Sequence, residues 1–78
     1  MMEKRFKQEI KSFGRKIKFY RKEKGFSQLD LEIHSGINRT EISKIENGLK
    51  NIEFYTIVKL ASALGIDIIQ LFDKAMDD

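Results

Sequence analysis

From Phe6 onward apolar residues recur at Ile10, Phe13, Ile17 and Tyr20, in steps of four and three that line one face of a helix. Lys22, Lys24 and Gly25 follow as favourable C-terminal residues, so the first helix is expected to close there. A cap announces the second segment. The Ser27 hydroxyl can accept from the Asp30 backbone N–H, and Phe26 and Leu31 stand at the positions of a hydrophobic staple. Leu29 to His34 alternates apolar and polar, which by period alone reads as a strand. The cap before it, Gly36 after it and the lack of any partner strand favour a helix. Asn38-Arg39-Thr40-Glu41 has the form of a capping box for a third helix, with Ile37 and Ile42 as its staple. Ile42 and Ile45 are its buried positions, and Asn47-Gly48 ends it. Phe54, Ile57, Val58, Ala61 and Leu64 predict the face of a fourth helix, closed by Gly65. Asp67 and Gln70 repeat the box for a fifth, stapled by Ile66 and Leu71. With no proline, no repeat and no low-complexity tract, the expectation is an all-α, compact five-helix domain over residues 1–78.

Composition narrows the class without naming a function. A chain of 78 residues fits one domain and buries only about 60–65% of its unfolded surface, so its core is small. It has no cysteine and a single histidine, His34, which leaves no disulfide, no cysteine-based metal site and no histidine cage; no cofactor is expected. No apolar run approaches a membrane span and the first residues are polar and basic, so a cytoplasmic protein, at the nucleoid if it meets DNA, is expected. The net charge of +3 is unevenly spread: residues 1–25 hold ten basic side chains against three acidic, and the rest hold five against nine. A basic first helix suits a polyanion, whose counterions are released on binding, although a solvated helix face explains the same charges.

Two short helices joined by a glycine-containing turn form a unit that places its second helix in the major groove of DNA. Gly36 accepts a left-handed backbone without steric penalty. Leu31, Ile37, Ile42 and Ile45 can fix the pair, and Arg39, Thr40, Glu41, Ser43, Lys44 and Asn47 leave the outer face polar. Such pairs also occur without DNA, so geometry alone does not decide.

The residues go further. Ser27-Gln28-x-x-Leu31 followed by Ser35-Gly36-Ile37-Asn38-Arg39-Thr40-x-Ile42-Ser43-x-Ile45-Glu46-Asn47-Gly48 resembles the Xre family of Cro- and phage-repressor-like regulators. The likeness runs through Asn51 and into Leu60-Ala61-x-Ala63-Leu64-Gly65-Ile66, covering about residues 13–72. It implies a five-helix repressor-like fold that binds double-stranded DNA as a homodimer at a palindromic site. By the same resemblance Gln28 grips a phosphate and braces the recognition helix, Arg39 and Thr40 meet base edges, and Asn38, Ser43, Lys44, Asn47 and Lys50 reach bases or backbone. An arginine paired bidentately with guanine supplies about 1–3 kcal/mol of discrimination. Glu41 can accept from cytosine N4 or serve only as a cap. Arg21 and Glu46 match an ion pair that joins the first helix to the recognition helix.

Two positions depart from the family. Glu32 stands where a small residue usually lets the helices approach, so either the helices sit apart or the side chain turns outward along its methylenes. Ile52 replaces a frequent proline. The Asn38-Arg39-Thr40 start and Asn51 without that proline are similar to the controller proteins of restriction–modification systems. Phe6 and Ile10 extend the first helix, to pack on the core or contribute to a dimer contact. His34 reads as an exposed helix residue, and Leu29 with Ile33 as an exposed apolar pair. Ile69, Phe72 and Met76 are the candidate dimer contacts. No nucleophile–base pair or phosphate loop points to an enzyme, and no region is left for a small-molecule effector module. The alternative use of such a chain is a DNA-binding antitoxin in a toxin–antitoxin pair.

Overall fold

The computed structural model describes residues 1–77, with side chains through Ala75. The chain is all-α among the described residues. It forms α1 (Met2–Glu23), α2 (Gln28–Ser35), α3 (Arg39–Glu46) and α4 (Phe54–Leu64), then short 3-10 helices at Ile68–Phe72 and Lys74–Asp77. The fifth expected helix therefore closes with the tighter 3-10 pitch. Its start is as expected, with the Gln70 Oε1 accepting from the Asp67 N–H at 2.9 Å, but only five residues separate Asp67 from Asp73, too few for α-helical hydrogen bonds to accumulate.

The predicted face of α1 is buried at its centre and open at its ends. Phe13 and Ile17 are buried, Ile10 and Tyr20 are half-buried, and Phe6 is exposed. Leu31, Ile37, Ile42, Ile45, Leu60, Ala61, Leu64 and Leu71 complete the core around them. Of the expected α4 face, Ala61 and Leu64 are buried and Ile57 packs against the core, while the inward side extends to Leu60 instead of Phe54 and Val58, which are exposed. The apolar residues of α4 are too dense for their spacing to single out one face, and the neighbours of α4 settle which side turns inward.

The strand-like alternation of Leu29–His34 is overridden by local geometry. Ser27 and Asp30 exchange side-chain-to-backbone hydrogen bonds in a full capping box, at 3.0 and 2.8 Å. The bond from the Ser27 N–H holds the Asp30 carboxyl below the ordinary carboxylate range, so this cap contributes at neutral pH and fades as falling pH protonates the carboxylate. Leu29 and Ile33, the alternating apolar residues, are left exposed, and only Leu31 enters the core. The exposed His34 ring stacks on Phe26, 4.7 Å between centroids.

Candidate nucleic-acid interface

A tight turn links α2 to α3. Gly36 takes the left-handed conformation at φ 76°, where its N–H still reaches Glu32 O at 2.8 Å. The Ser35 hydroxyl accepts from the Ile37 N–H, and Asn38 Oδ1 accepts from the Thr40 and Glu41 N–H groups. The expected capping box at α3 is thus only half formed. Glu41 does not turn back to Asn38; it pairs with Lys50 at 3.6 Å.

Glu32 resolves the question its size raised. Its Oε1 accepts from the Arg39 N–H at 2.8 Å, so the side chain turns out of the helix–helix contact and caps the first turn of α3. The carboxylate also sits at the positive end of the helix dipole. Glu32→Ala is expected to cost about 1 kcal/mol, seen as a lowered urea midpoint. An unchanged midpoint would assign the capping to Asn38 alone.

Behind α3 lies a polar cluster centred on the buried side chains of Arg21 and Glu46. Arg21 Nε donates to Glu46 Oε2 at 2.7 Å and Arg21 Nη2 to Glu46 Oε1 at 3.1 Å, the bidentate geometry that suits guanidinium and carboxylate. Arg21 Nη1 donates to the Phe26 carbonyl at 2.8 Å, and Gln28 Nε2 donates to Glu46 Oε1 at 3.1 Å. One carboxylate on α3 is therefore held from α1 and from the first residue of α2. This fixes the axial rotation and angle of α3 relative to both.

Backbone contact sets the same relation at Gly14. A Cβ there would collide with the Ile45 carbonyl oxygen and lie 2.8 Å from that of Glu46. Helices α1 and α3 cross at this point because residue 14 has no side chain. The apolar periodicity of α1 gives Gly14 no role, although an isolated glycine inside a helical pattern is itself a sign of close approach. The same periodicity is silent on Lys16, which is buried and donates to Ser12 Oγ at 2.7 Å one turn earlier in α1. A lysine between Arg15 and Ile17 gives no sign in sequence that it will be enclosed.

With Ile42, Ile45 and Glu46 turned inward, the opposite side of α3 faces solvent. Gln28, Arg39, Thr40, Ser43 and Lys44 line one shallow polar groove. Arg39, Thr40 and Lys44 are exposed and Ser43 is half-buried. Asn47 ends the helix, its side-chain amide donating to Ser43 O at 2.9 Å. Lys50 lies in the loop that follows α3, exposed, with its ammonium reaching back beside Glu41. Asn38 sits at the near end as the cap. The residues singled out in the sequence for DNA are thus gathered on α3 and its two flanks. The apolar residues singled out for a dimer lie elsewhere: Ile69 is exposed, half-exposed Phe72 rests its ring 5.5 Å from that of Phe13, and the Met76 side chain lies outside the described residues. Among the described residues no group of acidic and histidine side chains is arranged to hold a metal, and no helix is long and apolar enough to cross a membrane.

A family profile described as a helix-turn-helix domain matches residues 14–75. The chain belongs to the Xre-type helix-turn-helix family. Among its relatives, the control protein C.MunI of Mycoplasma sp is 39% identical over 61 residues, covering 77% of this chain and 82% of its own. The transcriptional regulator SlrR of Bacillus subtilis is 38% identical over 61 residues; the match covers 77% of this chain and 40% of SlrR. The crystal structure of SinR, a biofilm master regulator of Bacillus subtilis, in complex with DNA superposes with a TM-score of 0.75 at 34% identity, covering 78% of this chain and 98% of that one. This Xre-type chain is accordingly that of a DNA-binding transcriptional regulator of the helix-turn-helix type.

Proposed function

We propose that this regulator binds a palindromic operator as a homodimer, with α3 of each protomer in the major groove of one half-site. The observation that carries this reading is the groove lined by the polar and charged side chains of Gln28, Arg39, Thr40, Ser43 and Lys44, set on a helix whose other side is locked to the core. Arg39, at the first position of α3, is the candidate for bidentate recognition of guanine O6 and N7, with Thr40, Ser43 and Lys44 meeting neighbouring base edges or phosphates. Gln28 and Asn38, at the two helix starts, and Asn47 and Lys50, at the far end of α3, are assigned to the DNA backbone. The Gln28 and Leu29 N–H groups at the start of α2, ahead of the capped Asp30 N–H, suit a phosphate oxygen.

A single recognition helix covers only a few base pairs, so useful specificity needs two half-sites about 34 Å apart. Exposed Ile69 and half-exposed Phe72 supply apolar surface for that pairing, and Met76 is assigned with them from its place in the sequence. Selection of bound duplexes from a randomised pool tests the whole reading, since it returns half-site sequence and spacing together. A two-fold symmetric consensus is expected. Recovery of no enriched sequence would count against it. Arg39→Ala is expected to relax preference at one base pair per half-site by roughly 5- to 150-fold, leaving the other positions unchanged. A uniform loss across all positions would move Arg39 to the phosphates.

A further inference from the structure

Residues 2–13 of α1 precede the stretch matched by the helix-turn-helix profile. They are not featureless. Lys4, Lys7, Lys11, Arg15, Lys18 and Lys22 recur at steps of three and four, so they form one continuous basic stripe along α1, and all are exposed. The core residues Phe13 and Ile17 lie on a different face of the same helix.

What separates this stripe from an ordinary solvated face is where its first half runs. Gly48, which follows the recognition helix, presses against Lys11: a Cβ on Gly48 would lie 2.6 Å from Lys11 Cγ and 3.0 Å from its Cα. The Lys11 stem packs against Gly48, and Lys7 and Lys11 share a surface depression with Glu3, Gly48, Leu49 and Asn51. Asn47 and Lys50, assigned above to the DNA backbone, flank Gly48 in the chain. Among the described residues no ion pair neutralises Lys4, Lys7 or Lys11. Three exposed lysines, with Glu3 as the one acidic side chain in the depressions they line, thus lead away from the far end of the recognition helix. At 1.5 Å per residue, Lys4 to Lys11 spans about 10 Å. One DNA strand offers a phosphate about every 3.4 Å along its axis, so the spacing accommodates about three.

We propose that Lys4, Lys7 and Lys11 form a rail that grips the phosphates of duplex DNA flanking the half-site read by α3. The proposal rests on the assignment of α3 to the major groove. The rail carries no sequence information; it lengthens the footprint and steepens the salt dependence of binding.

The test compares the parent protein with K4Q/K7Q/K11Q on the selected operator, once with a helical turn of extra duplex beyond each half-site and once trimmed to the half-sites. Each phosphate that a lysine neutralises adds about 0.9 to the slope of log K against log salt. On the long duplex that slope is therefore expected to be shallower for the variant by about two to three. At low salt its affinity there should fall at least tenfold. On the trimmed duplex the two proteins should bind alike. Equal slopes for both proteins on the long duplex, with the operator still bound, would overturn the rail alone. Failure of the parent to enrich any duplex would instead overturn the assignment of α3, and the rail with it.

Discussion

A Gly14→Ala variant is expected to melt roughly 12–24 °C below the parent, from a loss of about 3 kcal/mol in a domain where each kcal/mol shifts the midpoint by about 4–8 °C. Two effects oppose each other. Alanine in a helix interior is favoured over glycine by about 1 kcal/mol, which would stabilise α1 taken alone. Against this, the new methyl group would meet the carbonyl oxygens of Ile45 and Glu46. These are backbone atoms in the last turn of α3, and no rotamer change can move them aside. Relief requires α1 and α3 to separate, which loosens Phe13, Ile17, Ile42 and Ile45 together because all four belong to one core cluster. Thermal unfolding followed by circular dichroism gives the answer directly. A melting temperature equal to or above the parent's would show that the crossing of α1 and α3 has slack. DNA affinity should fall even where the variant remains folded, since the same crossing sets the tilt of α3.

The contrast between what is legible in the sequence and what is not follows the distance over which each feature is decided. Helix starts are local. Ser27 with Asp30, and Asn38 with the two N–H groups it accepts from, act within three residues, so their chemistry can be read along the chain. The polar face of α3 is nearly as local, because two buried isoleucines three residues apart leave its other side outward. Features settled by another element are harder. The phase of α4 depends on which of its many apolar residues meet the remainder of the core, and the choice of Leu60 over Phe54 and Val58 is made by packing. Glu41 has a partner in Lys50 that no capping pattern foretells. Glu32 is an obstacle while only helix spacing is considered, yet its reach to the Arg39 N–H crosses the turn and makes it a support. Gly14 and Lys16 belong to the same class: their roles are set by what packs over them.

Glu46→Ala is expected to cost about 3–5 kcal/mol, because it strips a buried guanidinium of its counter-charge while leaving the guanidinium in place. A domain of this size has a total stability of only about 4–12 kcal/mol, so the variant should stand near the edge of unfolding at room temperature. The loss is not that of one bond. Glu46 accepts two buried hydrogen bonds from Arg21 and a part-buried one from Gln28, and truncation orphans both buried Arg21 donors. The informative comparison is the double variant Arg21→Met/Glu46→Met. Removing both charges also removes the desolvation penalty, so its urea midpoint should recover most of the way to the parent's. The Phe26 carbonyl loses its Arg21 donor as well, but Phe26 is half-buried and water can replace that bond. Recovered stability should not bring recovered binding. With no carboxylate on α3, Gln28 loses the acceptor that holds its side chain beside Arg39 and Thr40, and α3 loses the polar contact that fixes its rotation. A double variant as stable as the parent but binding the operator at least tenfold more weakly would show that the buried pair serves geometry more than stability. Equal midpoints for Glu46→Ala and the parent, or a double variant no better than the single, would remove the pair from that role.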